Sequence, residues 1–212
     1  IIKAVKQKTD FILTPEVSSL FSLDKKQLLK ICKPMSEDTY LKGIKKLAKK
    51  YKKWILVGSL IIKIAKKKGI MIATAESCTA GMVATALTDI PGSSNVIDRG
   101  YVTYSDDAKT EMLGVLSTTL ASHGAVSEQV AAEMAIGALT QAPVHLTVSV
   151  TGIAGPGGSQ FKPEGLVCFG LANAQHVKTK LINFGAIGRE QVRLEARNYA
   201  LSMIYKFLTE VQ

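Results

Sequence analysis

The chain has 212 residues, 47% of them hydrophobic and 21% charged, enough to bury a core in one domain plus an appendage. No apolar run reaches the ~18 residues needed to span a membrane, because the longest, Trp54 to Ile64, is broken by Gly58, Ser59 and Lys63. The net charge of +10 sits in the front third: residues 1–69 carry 18 lysines and no arginine against 5 acidic residues, a net of +13, whereas residues 70–212 carry 9 basic and 12 acidic residues, a net of −3. Lysine without arginine or interleaved aromatics is poor material for reading bases, so specific nucleic-acid binding is not expected. Cys32, Cys78 and Cys168 have no close metal-ligand spacing and are odd in number, which argues for free thiols in a reducing cytoplasm, with no zinc and no signal peptide expected.

In chain order, Thr9 to Thr14 reads as a buried strand ended by Pro15 and followed by Glu16. Ser22 to Cys32 alternates leucine and lysine helically and stops at Pro34. Ser36-Glu-Asp38 then offers a helix start for Tyr40, Leu41, Ile44, Leu47, Ala48 and Tyr51. Trp54 to Ile62 is a second strand candidate, and Lys63 to Lys68 reads as a helix tail or linker. This strand, helix, strand segment is too small to bury both faces of a sheet alone. It resembles the start of the nitrilase (carbon–nitrogen hydrolase) superfamily, where an Asp-Phe-Ile-type strand ends in Pro-Glu. That resemblance implies a catalytic glutamate at Glu16, but the lysine and cysteine elements of such an enzyme do not follow. A truncated, non-catalytic unit over residues 1–62 and a solvated Glu16 are therefore expected.

Gly69 opens the second region with a short apolar run to Ala75, expected as a buried strand. Thr79 to Ile90 then places Met82, Val83, Ala86, Leu87 and Ile90 at helical spacing. Ser77 and Cys78 thus fall between a strand end and a helix start, the usual place for ligand chemistry in open α/β sheets. Two readings of that turn stand side by side: Ser77 or Thr79 N-caps the helix, or the turn receives an oxyanion or phosphate. Asp98 to Ser105 alternates as a strand, and Ser105-Asp-Asp107 caps a helix through Lys109 that stops at Gly114. Ser127 to Gln141 is a helix and His145 to Thr151 a β-branched strand, which leads into Gly152-Ile-Ala-Gly-Pro-Gly-Gly158. Four glycines in those seven residues let the backbone approach an anion closely. The loop has neither the Walker nor the dinucleotide pattern, so no nucleotide cofactor is implied. Gly165 to Ala174 and Val177 to Phe184 read as a hairpin turning at Asn173 to His176. A last helix, Arg189 to Leu208, points Val192, Ala196, Tyr199, Ala200, Met203 and Phe207 inward, with Arg189 at its start as either a solvated end or an anion ligand.

Together, Thr74 to Gly81, Pro91-Gly-Ser-Ser94, Arg99 to Ser105, Lys109, His123 to Glu128 and Val150 to Gly158 closely resemble the carboxy-terminal domain of competence/damage-inducible protein CinA over roughly residues 64–208. The resemblance implies a single three-layer α/β/α domain with a central sheet, and an activity: hydrolysis of the carboxamide of nicotinamide mononucleotide to nicotinate mononucleotide and ammonia. Ala80 departs from it, because many relatives carry glycine there. The pyrophosphatase activity of full-length CinA does not transfer, since its molybdopterin-binding-like domain is not in this sequence.

Amide hydrolysis needs a nucleophile, a base and donors for a tetrahedral oxyanion. Ser77 is the first choice of nucleophile; Cys78 is read as packing. No histidine suits as partner: His145 and His176 fall at opposite loop ends and His123 in a Ser-His-Gly turn. With the resemblance in hand, Lys109 is the base, provided burial lowers its pKa, and Tyr104 a relay or orienting group; otherwise Lys109 reads as a solvated helix residue. The substrate phosphate has two candidate seats, the Ser77 to Gly81 helix start, with Thr79 and Gly81, and the Gly152 to Gly158 loop, with Gly152, Ala154 and Gly155; Arg189 is the counter-charge, and Thr79 and Thr151 are hydrogen-bond donors. The expected organisation is a lysine-rich segment at 1–62, a linker or helix tail at 63–69, and a cofactor-free, metal-free amidase domain at 70–212, forming a homo-oligomer in the cytoplasm. Two other readings are a silent nucleotide-binding module and an interaction protein that docks through the basic front segment.

Overall fold

The computed structural model describes residues 11–13, 54–56 and 58–210, and the chain divides into two units, residues 1–59 and 60–212. In the first unit, β1 (Phe11–Leu13) pairs in parallel with β2 (Trp54–Leu56). The two helices expected between these strands, and Glu16, lie outside the described residues. The second strand stops at Leu56, not Ile62, and the chain enters α1 (Gly58–Lys68). Ile61, Ile62 and Ala65 are buried there at helical spacing. A short apolar run has no period that separates buried strand from buried helix, and this one is a helix.

The second unit holds a five-stranded sheet in the order β4-β3-β5-β6-β7. Its strands are β3 (Ile72–Glu76), β4 (Ile97–Val102), β5 (Leu146–Gly152), β6 (Leu166–Ala172) and β7 (Val177–Asn183). β3 runs parallel to both β4 and β5, whereas β6 and β7 return antiparallel. β3, β5 and β6 are the most enclosed strands, and all five residues of β3 are buried. The hairpin turns where expected, with the Asn173 side chain accepting from the N–H of Gln175 and of His176.

Between the strands lie α2 (Met82–Thr88), α3 (Asp106–Leu113), α4 (Ser117–His123) and α5 (Glu128–Gln141), and α6 (Arg189–Glu210) ends the fold. β6 shows the layering. Gly170 faces α5, where an added Cβ would lie 2.3 Å from the Ala131 carbonyl oxygen, while its neighbour Phe169 stacks on Tyr199 of α6. Adjacent strand residues point to opposite faces, so α5 and α6 cover opposite sides of the sheet, and α2 packs with α6. The α5 side is sealed by polar residues of β5: Thr147 and Ser149 donate to the Ala135 and Ala131 carbonyls of the helix. This is the three-layer α/β/α domain read from the sequence.

Caps agree with the sequence at Ser105 and Ser127, whose side chains accept from Ala108 N–H and Val130 N–H, and at Gly114, which ends α3 left-handed at φ 68°. α4 was not foreseen, and His123 is its last residue instead of part of a turn. None of its residues is fully buried, so it leaves no apolar stripe to read. In α6 the fully buried positions are Val192, Ala196, Asn198, Ala200, Leu201, Ile204 and Leu208; Tyr199, Met203 and Phe207 are half-buried. Among the described residues no helix is long and apolar enough to cross a membrane.

Candidate active site

The three parallel strands deliver the chemically interesting stretches to one end of the sheet. Ser77 follows β3, Tyr104 follows β4, and the glycine-rich loop follows β5. β3 connects to β4 on one side, while β5 lies on its other side, which makes the carboxyl end of β3 a topological switch point. Strand-like bonding runs one residue further: Ser77 N–H donates to Val150 O and Thr103 N–H to Glu76 O, both at 2.9 Å. Ser77 is thereby fixed in the middle of the sheet's rim.

From Ser77 the chain makes two tight turns before α2. Ala80 N–H donates to Ser77 O at 3.0 Å and Met82 N–H to Thr79 O at 3.1 Å. Ala80 at φ 48° and Gly81 at φ 90° supply the left-handed geometry of the second turn, a conformation that costs an L-residue about 1–2 kcal/mol. A glycine at position 80 would adopt it freely, which gives the departure noted in the sequence a physical meaning.

The start of α2 is not open to a phosphate. The Glu76 carboxylate, fully buried, accepts from Gly81 and Val83 N–H through Oε2 and from Ala84 N–H through Oε1, at 2.8–3.0 Å, and also from the Thr74 hydroxyl. A carboxylate on the first N–H groups of a helix neutralises its positive end. Neither Ser77 nor Thr79 caps the helix, contrary to one reading of the sequence, and the N–H groups of Gly81, Val83 and Ala84 that a phosphate at the helix start would need are already committed.

The Ser77 side chain is buried with 8% residual exposure, and its hydroxyl makes no hydrogen bond among the described residues. Cys78 beside it is buried, and its thiol is pushed up to about 12, chiefly by burial, with Glu76 acting in the same direction. Such a thiol carries no thiolate near neutrality, consistent with packing. Lys109 is 1% exposed, which excludes a solvated helix lysine. Burial holds its ammonium below the ordinary lysine value, with Asp106 and then Cys78 pulling the other way. Its Nζ donates to the carbonyls of Tyr104 and Ser105 at 3.3 Å and pairs with Asp106 at 3.6 Å. The influence of Cys78 puts Lys109 within electrostatic reach of the Ser77 turn, but no hydrogen bond joins it to Ser77.

Tyr104 is likewise not bonded to Ser77; its Oη accepts from Arg189 Nη2 at 2.9 Å, and the same guanidinium donates through Nη1 to Gly155 O at 2.8 Å. Arg189 therefore ties the chain after β4 to the glycine-rich loop. That loop is held from two further sides: Gly157 N–H donates to the Glu164 carboxylate, and Lys162 Nζ to the carbonyls of His123 and Val126, each at 2.6 Å. Ala154 is buried, and an added Cβ at Gly152 would lie 2.7 Å from the Val167 side chain. Thr151 gives its hydroxyl proton to Ala125 O at 2.8 Å, so it is not a free donor as the sequence suggested. Among the described residues the buried hydroxyls of Thr79 and Thr103 have no partner.

Sequence reasoning missed two residues. Glu76 was visible as a carboxylate in the turn but was given no task. Arg193 donates through Nε to Cys78 O at 2.9 Å and through Nη2 to Thr79 O at 3.2 Å. Its spacing of four from Arg189, one helical turn, was the available signal.

The sequence model of the CinA C-terminal domain matches residues 57–208. It begins at residue 57, so the nitrilase resemblance of the front segment gains no support from it. A CinA-like protein of Chlorobium phaeobacteroides is 49% identical over 158 residues, covering 72% of this chain, and the chain spans only 37% of that protein's length. The nicotinamide-nucleotide amidohydrolase PncC of Escherichia coli is 49% identical over 142 residues, 66% of this chain and 86% of the relative. Among solved structures, competence/damage inducible protein CihA of Agrobacterium tumefaciens is 46% identical with a TM-score of 0.68, covering 72% of this chain and 95% of that one. The competence damage-inducible protein A of Klebsiella pneumoniae is 36% identical with a TM-score of 0.70, covering 73% and 96%. With a five-stranded mixed sheet flanked by helices that superposes on these structures, and a sequence match over most of its length, the chain belongs to the CinA C-terminal domain family.

Proposed function

We propose that this chain is a nicotinamide-nucleotide amidohydrolase that converts nicotinamide mononucleotide and water to nicotinate mononucleotide and ammonia, with Ser77 as nucleophile. The observation that carries the reading is the Ser77 turn: an uncommitted hydroxyl at the switch point of the sheet, with a buried lysine of lowered pKa within electrostatic reach of its neighbour Cys78. The likeness to the Escherichia coli amidohydrolase, of which 86% is covered, supplies the substrate.

In the proposed reaction Ser77 Oγ attacks the carboxamide carbon and its proton passes to neutral Lys109. The flexible lysine stem brings Nζ to Ser77 when substrate is bound; catalytic hydrogen bonds often close only in the complex. The oxyanion takes hydrogen bonds from backbone N–H groups of the turn. The C–N bond breaks, and Lys109 returns the proton to the leaving nitrogen as ammonia. Water then attacks the Ser77 ester, giving a proton to Lys109; the C–O bond breaks, Oγ recovers that proton, and nicotinate mononucleotide departs.

The phosphate is assigned to the Gly152, Ala154 and Gly155 loop with Arg189, since Glu76 fills the other seat. Tyr104 orients Arg189 toward it. Thr79, with an unpartnered hydroxyl, and Gly81, whose N–H is committed to Glu76, shape the turn without holding the phosphate. A phosphorylated substrate does not cross membranes unaided, which supports a cytoplasmic enzyme, as do the free thiols of Cys78 and Cys168. No cofactor takes part, and a homo-oligomer is expected.

Incubation of the purified chain with nicotinamide mononucleotide should release ammonia equimolar with nicotinate mononucleotide, at a rate unchanged by EDTA. Unconsumed substrate would contradict the function, and a rate lost to EDTA would contradict the metal-free mechanism.

A further inference from the structure

We propose that Arg193 is a positioning residue for amide hydrolysis, fixing the peptide between Cys78 and Thr79 so that the backbone N–H of Thr79 stays open to the oxyanion; this rests on the reading of Ser77 as nucleophile. Because Ala80 N–H bonds to Ser77 O, Cys78 and Thr79 are the central residues of a four-residue turn. The central peptide of such a turn has two orientations about half a rotation apart, which distinguish the type I from the type II turn. One presents the Cys78 carbonyl to α6, and the other presents the Thr79 N–H.

Arg193 selects between them. Its Nε holds Cys78 O and its Nη2 holds Thr79 O, so both arms of the fork meet the turn. Carbonyl and N–H point in opposite directions across a planar trans peptide. With the Cys78 carbonyl held toward α6, the Thr79 N–H is turned away from it. That N–H has no acceptor among the described residues, whereas those of Ser77 and Ala80 are committed and that of Cys78 is turned to its own sulfur. Thr79 reinforces the choice. Its φ is not positive, and the flipped type II form would force a β-branched residue to positive φ.

Arg193 forms no ion pair with a carboxylate among the described residues, so its fork serves these two carbonyls. A lysine offers a point charge without the planar pair of donors and would hold only one of them. A purely structural clamp would show its loss in stability. A clamp that aims oxyanion donors shows its loss in kcat, since that charge exists only on the way through the transition state.

The test uses the full chain with Arg193→Ala and Arg193→Lys, reading thermal midpoint together with kcat and KM for ammonia release from nicotinamide mononucleotide, with and without millimolar guanidinium. Removing one oxyanion donor costs about 10²–10³ in kcat, so Arg193→Ala should lose about 10²-fold with KM within about threefold. Arg193→Lys should fall between it and the wild type, and guanidinium should return part of the alanine variant's kcat. A folded Arg193→Ala with wild-type kcat, or with raised KM at unchanged kcat, overturns the proposal. If Arg193→Ala does not fold, Arg193→Lys decides: reduced kcat at unchanged KM supports the clamp, and wild-type kcat overturns it. Ser77→Ala alongside separates the two levels. Turnover by that variant removes Ser77 as nucleophile, and none by the wild type removes the amidase reading, and either takes the clamp's catalytic role with it; an inactive Ser77→Ala beside an unimpaired Arg193→Ala removes the clamp alone.

Discussion

Arg189 reaches from the first residue of α6 to the hydroxyl of Tyr104, 85 positions earlier in the chain, at 2.9 Å, while its other terminal nitrogen holds Gly155. The two side chains thus form one unit that ties the chain after β4 to the glycine-rich loop. Residues in direct contact couple by about 0.5–3 kcal/mol in double-mutant cycles. Arg189→Ala and Tyr104→Phe should each raise KM for nicotinamide mononucleotide, and the double variant should raise it by less than the product of the single effects. Independent, multiplying effects would show that the pair does not act together on the substrate.

Glu76 is the internal cap on which the turn depends. Hydrogen bonds to a charged group are each worth about 1.5–3 kcal/mol, so Glu76→Ala, which strips three backbone N–H groups of their acceptor, should cost about 3 kcal/mol or more. For a unit of this size that is a fall of roughly 6–12 °C in thermal midpoint. Glu76→Gln keeps one acceptor oxygen and should lose about half as much. A thermal scan giving equal midpoints for all three proteins would contradict the cap.

The environment of Lys109 sets a pH dependence. Burial lowers its pKa from 10.5, so the neutral amine that the proposed reaction uses as base becomes available as pH rises through a value below 10.5. The rate should climb with pH along a single-proton limb centred below that value. Lys109→Met should lose about 10²–10⁴-fold in kcat, the span of a general base, and its residual rate should lack the limb. An unaltered limb in Lys109→Met would assign the titration to another group.

Ala80 carries a left-handed φ at an exposed position. Relief of the roughly 1–2 kcal/mol cost for an L-residue exceeds the added backbone entropy of glycine, about 0.5–1 kcal/mol. Ala80→Gly should raise the thermal midpoint by about 2–4 °C. A lowered midpoint would mean the turn gains more from the alanine Cβ than it loses in strain.

What could be read from the sequence follows from how local the signal is. β5 was legible because its β-branched run is bounded by a turn and a glycine, and α3 and α5 because Ser105, Ser127 and Gly114 are caps. α1 was misread because its apolar residues are too few for a period to emerge. Ser77, Tyr104 and Lys109 could be grouped because each follows a parallel strand, and such strand ends converge on one rim. Arg193 could not, since it acts on carbonyls 114 and 115 residues away that carry no sequence signature. The task of Glu76 was hidden for a related reason: a carboxylate beside a nucleophile reads as chemistry, whereas its partners are backbone N–H groups.

The most direct test of the account is Ser77→Ala, assayed for ammonia release from nicotinamide mononucleotide and, by calorimetry, for binding of the same nucleotide. The variant should bind the nucleotide with an affinity close to that of the wild type and release no ammonia above the uncatalysed rate. Wild-type turnover by Ser77→Ala would contradict the central claim and move the nucleophile elsewhere.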